Sequence, residues 1–256
     1  MTFCAENGNA LRMGDEQVFE YWDGETASGL VCVVDHASNR VPEDIDLGID
    51  PELRDFHIAI DIGAHDLARA VCERLGCPAV VAHLSRLVVD LHREADNPAA
   101  IPVESDGHVI PGNAALDARG RQQRIDRFWR PYHARVEREI EQREPKMLFT
   151  IHSFTPQLRS KPDQERPWEC GILYNEDERA PRIAIPLLEA EGLTVGDNEP
   201  YSGKLLNATM NHHAEARGLP YLAIEVRNDL IGDAAGVSKW ADILAPVIAE
   251  TRDTLP

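Results

Sequence analysis

The sequence is short of positive charge. Its 256 residues carry 26 Lys and Arg against 44 Asp and Glu, a formal net charge of −18. Nucleic acid and anionic membrane surfaces both need a basic face, so neither is an expected partner. No run approaches the 18 or more apolar residues of a membrane span. Aromatic residues make up only 6% of the chain, but an apolar content of 43% still suffices for a core of enzyme size. The five cysteines (Cys4, Cys32, Cys72, Cys77 and Cys170) are odd in number and contain no CxxC pair. A disulfide scaffold or a cysteine-based metal site is therefore not expected, and a reducing, cytoplasmic setting is. Residues 1–17 show neither a basic n-region nor an apolar h-region, so no secretory leader is expected in them. Internal repeats and low-complexity segments are also lacking.

What is present is an alternation of buried-strand and amphipathic-helix patterns. Residues 29–34, Gly-Leu-Val-Cys-Val-Val, form an apolar, β-branched run that stops at Asp35-His36. Such a run reads as a strand covered on both faces. Similar runs occur at 79–82, 146–151, 171–174 and 221–227. Helical spacing covers 57–75, ending at Gly76, then 117–143, 180–191, 205–217 and 237–252. Pro131 is expected to kink or split the second of these helices. Residues 95–118 are rich in turn chemistry, and 154–168 read as a basic, proline-containing loop. The pattern predicts a single α/β domain over 1–256, with a mostly parallel central sheet flanked by helices and residues 1–27 as an N-terminal arm.

In such sheets ligands bind beyond the carboxyl ends of the strands. Three predicted strand ends carry His36, His152 and Glu225. Two histidines with an oxygen ligand nearby leave Zn²⁺ an open position for water, and a carboxylate across the site can carry that water's proton to a leaving nitrogen. Glu225 is the candidate for that carboxylate, although a salt bridge to Arg86, Arg93 or Arg227 would account for it equally well. Those three arginines are candidates to hold an anionic substrate, and each could instead pair with an acidic residue of the chain. Asp61 could bond to a ligating histidine from outside the metal shell. Ser38 and Ser153 flank the two histidines, but no GxSxG elbow supports a serine nucleophile. Tyr201, Ser202 and Lys204 lie in a polar loop that could contact substrate, although they read first as surface loop. Residues His57, His65, His83, His108 and His133 read as solvent-facing or capping, and adjacent His212 and His213 are not expected to ligate together.

The order His36-Ala37-Ser38-Asn39, Asp90-Leu91-His92-Arg93, Ile151-His152-Ser153 and Ile224-Glu225 resembles the zinc-carboxypeptidase and aspartoacylase type of site. There the order is HxxE, an Asn-Arg motif, a lone His after a strand, and a late catalytic Glu. More closely, DHASNRVP, DIGAHDLA, LSRLVVDLHR, IHSFTP, GILYN, GDNEPYSG and RGLPYLAIEVRNDLI resemble the N-formylglutamate amidohydrolase family. Together these stretches span most of residues 30–250. The resemblance implies a zinc-carboxypeptidase or phosphorylase-hydrolase-like architecture. It also implies metal-dependent cleavage of N-formyl-L-glutamate to formate and glutamate by a metal-activated water, a step of histidine breakdown.

Carried over by position, His36, Asn39 and His152 would be ligands of one divalent ion, expected to be zinc. Glu225 would be the general base and acid, and Arg93 a substrate anchor. Asn39 stands where the carboxypeptidase-type motif has Glu, and its amide oxygen is the weaker zinc ligand. Asp61 or a water could then complete the shell. His92 replaces the motif's Asn. The expected partner is a small anionic N-acyl amino acid. Two alternatives remain: an amidase or carboxypeptidase-like hydrolase of another N-acyl amino acid or peptide, and a metal- or ligand-binding relative without turnover.

Overall fold

The β-branched runs become a seven-stranded sheet because each can bury both faces. The structure is a computed structural model and describes residues 18–256. In strand β2 (Leu30–Val34) every residue is buried, and alternate side chains enter different cores. Leu30, Cys32 and Val34 pack with residues from helices α1 (Ala64–Leu75), α5 (Pro181–Ala190) and α7 (Ala234–Thr254). Val31 and Val33 face Phe128, Tyr132, Val136 and Ile140 across the other side. A period of two thus feeds two apolar layers from one continuous run.

The remaining strands are β1 (Phe19–Trp22), β3 (Ala79–Ala82), β6 (Met147–Phe154), β7 (Cys170–Leu173), β8 (Val195–Asp197) and β9 (Tyr221–Arg227). A small hairpin, β4 (Glu104–Ser105) and β5 (His108–Val109), stands apart. The sheet order is β1-β3-β2-β6-β9-β7-β8. The central pairings β3-β2, β2-β6 and β6-β9 are parallel, as is β7-β8. Pairings β1-β3 and β9-β7 are antiparallel. Strands β2, β6 and β9 therefore bring their carboxyl ends to one edge, where their polar residues meet.

The sequence expectations meet the structure with local differences. Part of the expected N-terminal arm is an edge strand, β1, paired along β3; residues 1–17 lie outside the described residues. The helix expected over 57–75 begins only at Ala64, because Gly63 turns the chain at φ 79°. A Cβ there would lie 2.3 Å from the Ile231 carbonyl oxygen, so only glycine fits. The 117–143 segment is split as Pro131 requires. Helix α3 (Ala118–Arg124), started by the Asp117 side chain on Gly120 N–H, passes through a wide π-type turn at Ile125–Trp129 into α4 (Arg130–Arg143). The wide turn takes up the missing proline N–H. The long 95–118 loop contains the β4–β5 hairpin and the short helix α2 (Pro111–Ala114). The helix expected over 205–217 is reduced to α6 (Ala208–His213) and one tight turn.

Candidate active site

A cavity of about 140 Å³ opens at the carboxyl edge of β2, β6 and β9, lined by His36, Asp61, His92, His152, Arg93 and Glu225 among others. His36 sits two residues beyond β2. Asp61 lies in the turn before α1, whose backbone N–H donates to the His36 carbonyl at 3.0 Å. His152 and Glu225 are register partners on β6 and β9, so the pleat presents them side by side. Between β3 and the long loop, residues 84–93 run without regular structure yet almost wholly buried, supplying Arg86, Asp90, His92 and Arg93. The segment is held by Ser85 N–H to the Arg40 carbonyl (2.8 Å), Ser85 Oγ to the Ala59 carbonyl (2.9 Å) and Asp90 N–H to the Ala100 carbonyl (2.7 Å).

Three donor atoms converge on the cavity floor. Asp61 Oδ2 lies 2.8 Å from His152 Nδ1 and 3.3 Å from His36 Nδ1. The far nitrogen of each ring faces another carboxylate: His36 Nε2 is 2.8 Å from Asp90 Oδ1, and His152 Nε2 is 3.6 Å from Asp35 Oδ2. Arg86 spans the arrangement, donating to Asp61 Oδ1 at 3.0 Å and Asp90 Oδ2 at 2.9 Å. Asp35 is fully buried and accepts from Tyr132 Oη (2.8 Å) and from His92 Nδ1 (2.9 Å). With its Nδ1–H so engaged, His92 keeps Nε2 as an acceptor.

Charge balance follows this packing. Burial works to raise the Asp61 pKa, but the His36 charge, bonds from His152 and His36, and Arg86 hold the carboxyl far below the usual range. Burial opposes protonation of His152 too, yet Asp35, Asp61 and Glu225 push it up to about 10. The cluster thus carries more negative charge than Arg86 offsets, and the first available cation, a proton, goes to His152. Burial also raises Glu225 to about 7, against the pull of His152. One Glu225 carboxylate oxygen, Oε2, is buried without a hydrogen-bond partner among the described residues.

Two sets of side chains in the described residues have metal-ligand geometry, His36–Asp61–His152 and Asp35–His92–His152. The first fits a divalent ion better on three grounds. All three residues line the cavity, the far nitrogen of His36 is bonded to Asp90 while that of His152 has a carboxylate, Asp35, at 3.6 Å, and the set lies beside Glu225. Asp35 does not line the cavity. In the second set its Oδ2 would have to give up the bond from His92 Nδ1.

The expected site residues fall into two groups. His36, His152, Glu225, Arg86 and Arg93 are brought together, but Asn39 and Arg227 are not. The Asn39 amide donates to Asp55 Oδ1 at 2.7 Å, and it is Asp61 that stands within ligand distance of both histidines. Arg227 lies two residues beyond Glu225, about 7 Å along the strand, where Asp229 captures its guanidinium at 2.8 Å. Arg86 and Arg93 come from the irregular buried segment 84–93. Arg86 lines the cavity with both terminal nitrogens already committed to Asp61 and Asp90. Among the described residues the Arg93 guanidinium bonds only to the His92 carbonyl (3.4 Å), so its charge is available to an anion.

Other residues carry more than the sequence suggested. His57 and Tyr201 line the cavity, although they read as capping and surface loop. His133 is buried, not exposed, bonding His213 Nε2 at 2.8 Å and the Leu91 carbonyl at 3.0 Å. Asp35 and Asp90 directly precede or sit within the motif residues, and their position beside histidines was the available signal.

A family model described as N-formylglutamate amidohydrolase matches residues 28–232. The chain belongs to the N-formylglutamate amidohydrolase family. As a member of it, the protein is a hydrolase acting on amide bonds. The structure of gene product Atu2144 from Agrobacterium tumefaciens shares 32% identity at a TM-score of 0.86, covering 93% of this chain and 96% of that one. An N-formylglutamate amidohydrolase from Ralstonia eutropha shares the fold at a TM-score of 0.70 and 22% identity, covering 93% and 98%. No sequence among the curated proteins matches this chain.

Proposed function

We propose that this protein cleaves the N-formyl amide of N-formyl-L-glutamate to formate and glutamate, using one divalent ion, zinc by preference, held by His36, Asp61 and His152. The observation that carries the proposal is the register pair His152 and Glu225, which sets an unpartnered buried carboxylate oxygen beside the three convergent donors in a small cavity. Two imidazoles and a carboxylate are the donor set of catalytic zinc sites with an open position. When bound, such an ion polarises the amide carbonyl and makes water a nucleophile near neutral pH.

The chain's own residues do the rest. Glu225, with its pKa raised to about 7, suits a group that accepts a proton from water and passes it to the departing nitrogen. Arg93 offers an uncommitted guanidinium to a substrate carboxylate. Arg86 fixes the orientation of Asp61 and Asp90, and Asp90 in turn fixes the His36 ring. Four buried cysteines (Cys32, Cys72, Cys77 and Cys170) are free thiols, which supports a reducing cytoplasmic setting.

The test is formate release from N-formyl-L-glutamate by purified protein, run beside N-acetyl-L-glutamate and N-formyl-L-aspartate. Release that stops on chelation and returns with zinc supports the proposal. Release indifferent to chelation removes the ion from it. Hydrolysis of the acetyl compound alone would replace the substrate, and hydrolysis of none would leave the binding-protein alternative.

A further inference from the structure

The basic loop between β6 and β7 ends in a side chain that the scheme above leaves unused. Arg166 is 5% exposed, yet among the described residues no carboxylate lies within ion-pair distance of it. Its Nη1 donates to the Thr155 carbonyl at 3.1 Å and to Tyr201 Oη at 3.2 Å, and its Nε is buried without a partner. The guanidinium carbon sits 5.0 Å from the Tyr201 ring centre. Thr155 and Tyr201 both line the cavity with Glu225.

A buried, unpaired cation is expensive, and it persists where something of opposite charge completes it. The chain is rich in acidic side chains, and among the described residues none of them is within ion-pair distance of Arg166. Tyr201 points the same way. Because its oxygen accepts from Arg166, its own O–H is left to donate, and no acceptor for it exists among the described residues. A hydroxyl donor facing the cavity, backed by a fixed positive charge, is an anion-binding arrangement.

We infer that Tyr201 and Arg166 form a subsite for a second carboxylate, the one at the far end of the substrate's side chain, so that the enzyme selects N-acyl amino dicarboxylates. The inference rests on the amide-hydrolase reading above. Arg93, next in the chain to His92, is then left for the carboxylate beside the scissile amide.

The subsite can be tested by binding, independently of turnover. Calorimetric titration with L-glutamate and with L-glutamine, its neutral near-isostere, should show glutamate bound roughly 10- to 100-fold more tightly by the wild-type protein. Arg166→Gln should abolish that preference while changing glutamine binding by less than about 3-fold. Tyr201→Phe should reduce it by roughly 5-fold, and Arg166→Lys should restore part of it. Because Arg166 is an unpaired buried charge, Arg166→Gln should melt no lower than the wild type. Equal binding of the two amino acids by the wild type would overturn the subsite. So would an Arg166→Gln protein that loses both equally and melts lower, since Arg166 would then merely pin the loop. Formate release by the wild type judges the amide-hydrolase reading separately.

Discussion

Replacing Glu225 by Gln separates what this carboxylate does for the reaction from what it costs the fold. The side chain is buried, Oε2 has no partner, and burial raises its pKa from 4.5 to about 7. Gln has nearly the same shape, so packing survives. Loss of a general base and acid costs typically 10²- to 10⁴-fold in rate, about 3–5 kcal/mol of barrier. The effect should fall on kcat, with zinc content unchanged.

Stability should move the other way, with a definite pH dependence in chelated protein. Below about pH 4.5 Glu225 is neutral in both folded and unfolded chains, and the two proteins should melt alike. Between about pH 4.5 and 7 the unfolded chain releases its proton more readily, and wild-type stability falls relative to Glu225→Gln. Above about pH 7 the whole penalty is present, at most of the order of 3 kcal/mol in favour of the variant. Formate release and thermal melts at pH 4.5, 6 and 8 are the assays. Near-normal turnover in Glu225→Gln would refute the catalytic role. A variant less stable than wild type at pH 8 would refute the burial argument.

Asp90 touches the proposed ion only through His36, so Asp90→Asn should retain the fold but weaken zinc binding about 10- to 100-fold in competition with a chromophoric chelator. Asn39 bonds Asp55 and stands outside the cluster, so Asn39→Ala should leave zinc affinity and turnover within about 3-fold and lower stability by no more than ~1 kcal/mol. A large loss of zinc there would return Asn39 to the ligand set. Tyr132→Phe removes the buried bond to Asp35 and should cost about 1.5–3 kcal/mol in urea unfolding, since the acceptor is charged.

The central strands are legible in the sequence because β2, β6 and β9 begin as apolar runs that are satisfied when both faces are covered. The site was legible where such a run ended on a residue with chemistry: His36, His152 and Glu225. It was less legible where function depends on convergence. Asp61 lies far from both histidines in sequence and reads there as a supporting residue or a substitute for Asn39, and the turn at Gly63 carries it to the centre of the cluster. Asn39 drew attention through a spacing counted from His36, but the turn that follows the strand carries it to Asp55. Arg86 and Arg227 had the right charge near the right elements. Only the folded chain shows that Asp61 and Asp90 consume the first and Asp229 the second. Tyr201 shows in the sequence only as one polar residue of a loop that could contact substrate, and nothing local marks Arg166.

The central claim, that His36, Asp61 and His152 together hold the ion, is tested most directly by anomalous X-ray scattering at the zinc edge from crystals grown with zinc. One peak is expected, about 2.0–2.2 Å from His36 Nδ1, Asp61 Oδ2 and His152 Nδ1. A peak among Asp35, His92 and His152, or one that includes Asn39, would contradict it.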